Sequence, residues 1–406
     1  MAQPTADKLP QLRTTEKEGI RRTTWTELLN DLVFTVIVAQ LAQRLVKLPN
    51  LPAFFGFLLL YVPIWWLWNG ETHYSTRFDN ERDVIHRLLS SLQLLGLLVL
   101  AAAIPSSLEA SQASTAYALT YSAVRVVLLV EYGRAWFYVP DARPYIQHIA
   151  TGFFVSVVIW SASVLVPVPY RYMCWGVALI IELSTPLTSS GGRLHKEFPP
   201  DVRHLPERYG LFTLLVLGQA VASIAQGLIQ RGFEVNTVAA ALLGGVVIVG
   251  LWWAYFDRLD DDAVRQVSEG GSARQYTFWL YLHLPLTIAL TVVGVGLTLA
   301  IRDVDRPELS SSAQWLFLGS VAGYFLTEGG ISLTSLLAGP WHHSFVWGVA
   351  VRIGLGISLI LIRLTTSLNS LTLLSITAVL VILLIISDYF GPDAPESTER
   401  VSSMSS

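Results

Sequence analysis

Charge is what this sequence lacks. Only 14% of its 406 residues are Asp, Glu, Lys or Arg, 52% are hydrophobic, and the mean hydropathy is +0.51. A soluble domain carries about 25% charge, so this chain cannot cover itself with polar surface. The single cysteine, Cys174, excludes an intramolecular disulfide and any cysteine-cluster metal site. No Walker sequence, dinucleotide loop, nucleophile elbow or His-Glu-x-x-His motif occurs, so hydrolytic or redox catalysis has no candidate residues. We therefore expect no enzyme, no cofactor, no metal and no nucleic-acid partner. His342-His343 are adjacent and face apart, with no third ligand near them in the sequence. The first 22 residues lack the apolar core and the small-residue cleavage site of a signal peptide. The alternating segments of a transmembrane β-barrel are missing too.

Long apolar runs are what the chain has. Segments of about 17–25 residues, enough to cross hydrocarbon, recur at 25–45, 53–68, 88–104, 116–132, 149–166, 172–187, 211–229, 237–256, 278–301, 315–337, 346–364 and 371–389. This spacing predicts an all-α, polytopic transmembrane helix bundle of twelve spans, with the second, third and sixth short. Placing the N-terminus inside puts 18 of the 27 basic residues in inside segments and 7 outside, with Arg125 and Arg352 within spans. That bias follows the positive-inside rule and predicts that both termini are cytoplasmic.

An internal duplication is expected. Glu27 precedes a Leu-Val-Phe-Thr run and Glu207 a Leu-Phe-Thr run, and Gln40 and Gln219 follow those acids by 13 and 12 residues. Each half's second span ends in tryptophans followed by an acid, Trp65-Trp66-Leu67-Trp68-Asn69-Gly70-Glu71 and Trp252-Trp253-Ala254-Tyr255-Phe256-Asp257. Six spans per half would make the halves parallel. The expected divisions are a disordered tail (1–22), a first six-helix repeat (23–190), a cytoplasmic linker (191–206), a second repeat (207–390) and a disordered tail (391–406).

Several of these stretches carry a family resemblance. Trp25-Thr-Glu-Leu-Leu-Asn-Asp-Leu-Val-Phe34, Arg77-Phe78-Asp79, Arg87-Leu88-Leu89, Ala101-Ala102-Ala103-Ile104-Pro105 and Glu207-Arg208-Tyr209-Gly210-Leu211-Phe212-Thr213 resemble the bacterial low temperature requirement protein A (LtrA) family. The resemblance covers about residues 23–390. Asn30 stands where that family usually has an aromatic, and Gln219 where a Gly-Glu is typical. The resemblance implies a multi-pass inner-membrane protein and no particular biochemical activity.

Ionisable groups within spans are expensive and mark sites of function or firm pairing. Glu27 and Asp31 lie one turn apart on the first span. Thr24-x-x-Glu27 has the form of a capping box. Asp31 lies deeper, for a cation or proton contact or for a salt bridge to a basic residue of the 77–87 loop. Arg125 is expected to pair with Glu182, and Arg352 with Glu328, as structural pins or as part of a pathway. His283 reads as a hydrogen-bonded core residue or a proton relay.

These groups, with Gln40 and Gln219, predict a transporter or channel for a small ion or solute, with its path between the two repeats. The lipid bilayer is the expected partner, and a homo-oligomer is compatible with it. The alternative is a non-transporting membrane stress or envelope factor, or a lipid-modifying membrane enzyme.

Overall fold

The computed structural model describes residues 9–12, 23–79, 82–257, 264–265, 269, 272–338 and 343–390. All of residues 391–406 and most of 1–22 therefore lie outside the described residues, as does His342. Among the described residues the chain is helical throughout. The helices are α1 (Trp25–Lys47), α2 (Leu51–Phe78), α3 (Val84–Ala103), α4 (Gln112–Tyr138), α5 (Arg143–Ala162), α6 (Tyr170–Ser184), α7 (Ser189–Glu197), α8 (His204–Arg231), α9 (Val235–Phe256), α10 (Ala273–Arg302), α11 (Ser311–Ala338), α12 (His343–Thr365) and α13 (Ser370–Phe390). They form a polytopic helix bundle. Eleven segments among the described residues are long and apolar enough to cross a membrane.

Two compact units result, Met1–Gln219 with Ala263–Thr277, and Ala220–Asp262 with Phe278–Ser406. The division falls inside α8 rather than in the expected 191–206 linker, part of which is itself α7.

The first unit shows how membrane helices invert the soluble pattern. On α3, His86, Ser90, Gln93, Leu97 and Leu100 are buried, while Leu88, Leu92, Leu95 and Val99 are exposed. The spacing of three to four residues puts the buried set on one stripe. Its first half is polar and its second half apolar, while the exposed face is hydrocarbon from Leu92 onward and suited to lipid there. The C-terminal half of α2 is buried almost all round, Trp65 to Phe78 included, although it carries Asn69, Glu71, His73 and Arg77. Polar groups placed there must find partners inside the protein.

The sixth expected span departs from expectation. Pro167 and Pro169 delay the start of α6, and Pro186 stops it within a 3-10 turn, Thr185–Leu187. At about 1.5 Å per residue, its 15 residues cover roughly 22 Å, short of a hydrocarbon core of about 30 Å. Its contacts, and those of the chain beyond it, follow α4 along its length. Arg171 donates to Ser114 and Thr115 at the start of α4 (3.0 and 3.1 Å), and Glu182 meets Arg125 near its middle. His148 on α5 contacts the Thr185 carbonyl and the Thr188 hydroxyl (3.0 and 3.1 Å). Beyond the turn, Leu194 and Phe198 pack with Tyr132, Ala135, Val139 and Tyr145 around the end of α4. Two helical pieces joined at Pro186 thus run alongside α4 from its beginning to its end.

In the second unit α10 is the inner helix. Nearly every residue from Leu286 to Ile301 is buried, as expected of a helix that is apolar on all sides. Ala289 and Gly296 pack against α11, and Leu297 lies against Gly244 of α9. Tyr324 of α11 donates to the Leu251 carbonyl of α9 at 2.6 Å.

The turn between α6 and α7 yields a direct test. A Cβ on Gly191 would stand 2.6 Å from the Pro186 carbonyl oxygen and 2.9 Å from that of Thr185. Both are backbone atoms with little room to yield. Gly191→Ala should destabilise by about 1–3 kcal/mol, read as a lower thermal midpoint of the purified protein. Gly192→Ala should not, because its Cβ would meet only the Ala273 Cβ at 4.0 Å.

Candidate functional site

The site begins at the entrance of α1. Thr24 caps the helix: its hydroxyl accepts from the Glu27 amide at 3.3 Å, and the Glu27 carboxylate accepts from the Thr24 amide at 2.8 Å. Glu27 also meets His204 Nε2 at 3.1 Å. One turn on, Asp31 accepts both arms of Arg208, at 2.9 and 2.8 Å, and the Trp68 indole N–H at 2.8 Å. Glu27 and Asp31 on one helix, and His204 and Arg208 on the other, are each four residues apart. The N-terminal turns of α1 and α8 therefore lie side by side, parallel and in register.

Trp68 completes the junction by stacking on Phe212 (4.2 Å between centroids, 26° between planes) and meeting Tyr209 edge-on. The partner of Asp31 is thus Arg208, not a base of the 77–87 loop. Arg77 is held elsewhere: it donates to the Phe198 carbonyl (3.0 Å), His73 Nδ1 (2.9 Å) and His195 Nδ1 (3.2 Å), and lies over the Tyr145 ring. An arginine has only donors, so both imidazole nitrogens accept.

Next to this junction a cavity of about 680 Å³ opens, lined by Thr23–Leu28 and Asn30 of the α1 entrance, Glu71, Asp79, His86, Arg87, Ser90 and Arg208. Asp31 is fully buried and paired rather than open to it. Behind the cavity wall is a charged cluster. His86 Nδ1 lies 2.8 Å from Glu131 Oε1, and its Nε2 lies 3.3 Å from Asp79 Oδ1. Gln93 donates to Glu131 Oε2 at 3.1 Å. Glu71 has 6% of its surface exposed, and its Oε2 has no hydrogen-bond partner among the described residues. Glu71, Glu131 and one imidazole so arranged carry negative charge that burial makes costly unless a cation or proton is shared among them. Glu71, His86 and Glu131 each offer one ligand atom, all within 4.8 Å of one another.

The remaining expected residues fall into separate places. Arg125 Nη2 binds Glu182 Oε2 at 2.7 Å, Tyr121 bridges the two (3.1 and 3.0 Å), and the guanidinium covers the Phe153 ring. In the second unit Arg352 pairs with Glu328 and, through both terminal nitrogens, with Asp388 (2.9 and 2.7 Å). His283 is a hydrogen-bonded core residue: Nε2 meets the Tyr255 hydroxyl at 3.1 Å and Nδ1 the Trp279 carbonyl at 2.8 Å. Gln219 is half-buried in α8. Gln40 is half-buried in α1, with no side-chain hydrogen bond among the described residues.

Sequence reasoning missed His86, Gln93, Asp388 and the role of Arg208. The spacing His86–Ser90–Gln93, one polar stripe at the start of an otherwise apolar span, was available as a signal. Asp388 closes the last span, where acids ordinarily collect at a membrane interface.

Fold and site together define a multi-pass helical membrane protein with paired charges inside its bundle. The family model for the Bacterial low temperature requirement A protein (LtrA) matches residues 22–386, and the chain belongs to that family. It is similar to the uncharacterized protein RA0937 of Rhizobium meliloti (strain 1021), with 26% identity over 293 residues, 69% of this chain and 70% of that protein. No solved structure matches the chain.

Removing one member of a buried pair strands the other. Arg208→Gln should cost about 3–5 kcal/mol, seen as loss of folded protein in detergent. The double variant Asp31→Asn with Arg208→Gln should recover part of that loss. A double variant no better than the single would mean the two groups do not neutralise each other.

Proposed function

We propose that the protein moves a small cation across the bacterial inner membrane, taking it up at the acid-lined cavity of the first unit. The observation that carries this reading is Glu71: a buried carboxylate with an unpartnered oxygen, on the wall of a cavity that Asp79 also borders. A buried, incompletely paired acid is costly and invites a cation. Asp31, Arg125, Glu182, Glu328 and Arg352 are neutralised at hydrogen-bond range. Under this reading they brace helices and do not line the path.

That same pairing favours a second reading, a non-transporting envelope or stress factor held rigid by internal ion pairs. An enzyme acting on lipid is less well supported, because the clustered acids face one another and a cavity.

Flux decides between the first two. In proteoliposomes, at least one of H⁺, Na⁺, K⁺, Mg²⁺ or Mn²⁺ should move faster than in empty vesicles. Glu71→Gln should lower that rate by about tenfold, the worth of one charge-assisted contact of about 1.4 kcal/mol. Absence of flux for all five, or flux indifferent to the substitution, sinks the transport reading.

The charge bias and the two-piece run of α6 and α7 beside α4 support twelve crossings and two cytoplasmic termini. With Cys174 replaced by alanine, Leu165→Cys should react with an impermeant maleimide in intact spheroplasts. Arg203→Cys should react only after the membrane is opened. Labelling of both from one side would rule out a crossing between them.

A further inference from the structure

We infer that Glu71, His86 and Glu131 form a binding site for a divalent first-row transition cation, the class represented by Mn²⁺ and Zn²⁺. The proposal rests on the transport reading only for its access route. Three helices bring the ligands together: α2 supplies Glu71, α3 His86 and α4 Glu131. Their ligand atoms lie within 4.8 Å of one another. Ligands about 2.1 Å from a four-coordinate ion stand about 3.4 Å apart. The trio therefore closes on an ion by side-chain rotation alone, without movement of the helices.

The donor chemistry selects the ion. Two carboxylate oxygens match the double charge, so a loaded site with neutral imidazole carries no net charge into the bundle. The imidazole nitrogen disfavours Mg²⁺ and Ca²⁺, which prefer oxygen alone. The absence of any sulfur ligand removes the soft-metal sites.

Two further groups stand where supporting residues of a metal centre stand. Asp79 Oδ1 lies 3.3 Å from His86 Nε2, while Nδ1 faces Glu131 at 2.8 Å. Gln93 holds Glu131 Oε2. A carboxylate behind the histidine and a donor behind the acid are the arrangement that orients metal ligands.

Two observations separate this cluster from an ordinary group of acids. Glu71, with 6% of its surface exposed and Oε2 without a hydrogen-bond partner, has no arginine against it among the described residues, whereas Asp31, Glu182 and Glu328 each do. Glu71 and His86 also line the 680 Å³ cavity, which gives an ion a way in without unfolding.

The test is equilibrium binding by the full chain, purified in detergent, freed of any affinity tag and stripped with chelator. Zn²⁺ and Mn²⁺ are titrated separately and bound metal is counted per chain. One tight site is expected for Zn²⁺ and a weaker one of the same stoichiometry for Mn²⁺, which should displace Zn²⁺ only in large excess; equal Mg²⁺ should displace neither. Glu71→Gln and His86→Gln should each weaken binding by at least about tenfold. Saturating Zn²⁺ should raise the thermal midpoint of the wild type and raise that of Glu71→Gln by less. That variant loses no hydrogen bond at Oε2, so its fold serves as the control. Wild type that retains no metal, or binding that survives both substitutions, overturns the proposal. Binding is read without flux, so a protein that transports but holds no Zn²⁺ refutes only this site. One that binds Zn²⁺ but moves no cation refutes only the transport reading.

Discussion

The two-armed pairing of Arg208 with Asp31 is the contact on which the first unit depends. A guanidinium cannot shed its proton, and a lone carboxylate at that depth costs about 2–3 kcal/mol or more. Neither residue is tolerable without the other. Because both are fully buried, the pair fixes the separation and register of α1 and α8. Trp68, donating to the same carboxylate and stacking on Phe212, ties α2 to both. Glu27 with His204 repeats the arrangement one turn nearer the helix ends. Apolar packing alone is a weak guide to register in lipid, where the surroundings are as apolar as the side chains. Charge supplies the specificity that packing does not.

Much of this was legible in the sequence, and the limits are physical. The helices follow from apolar runs, and the capping box at Thr24 and Glu27 from local spacing, because both depend on residues within a turn or two of each other. The Arg125–Glu182 and Arg352–Glu328 pairs were legible for a different reason. Within hydrocarbon an arginine has few conceivable partners, and elimination reaches them. Asp31 was harder, since Arg208 lies 177 residues away at a helix end and looked like an interfacial base. The nearer candidate, Arg77, proved to be held by two histidines and a carbonyl. The short α6 was foreshadowed by Pro167, Pro169 and Pro186, but proline marks where a helix stops without saying what carries the chain onward.

The acid cluster was the least legible feature because its members are unremarkable one by one. Glu71 follows a run of tryptophans at a helix end, His86 opens a span, and Glu131 closes one. Each position is where charged residues ordinarily collect at a membrane interface. Only the way α2, α3 and α4 meet turns three interfacial residues into one buried group.

The contrast between the pairs and the cluster carries the functional argument. Arg208 with Asp31, Arg125 with Glu182, and Arg352 with Glu328 and Asp388 are closed sets, in which each cation has at least one acid in contact. Closed sets hold helices in place and leave no charge to offer a ligand. At Glu71, His86 and Glu131 two acids share one imidazole, and the cavity reaches Glu71 and His86. A bundle that neutralises its charges so fully elsewhere has no structural need for surplus negative charge at this spot. The surplus is best understood as capacity for a positive charge that comes from outside the chain.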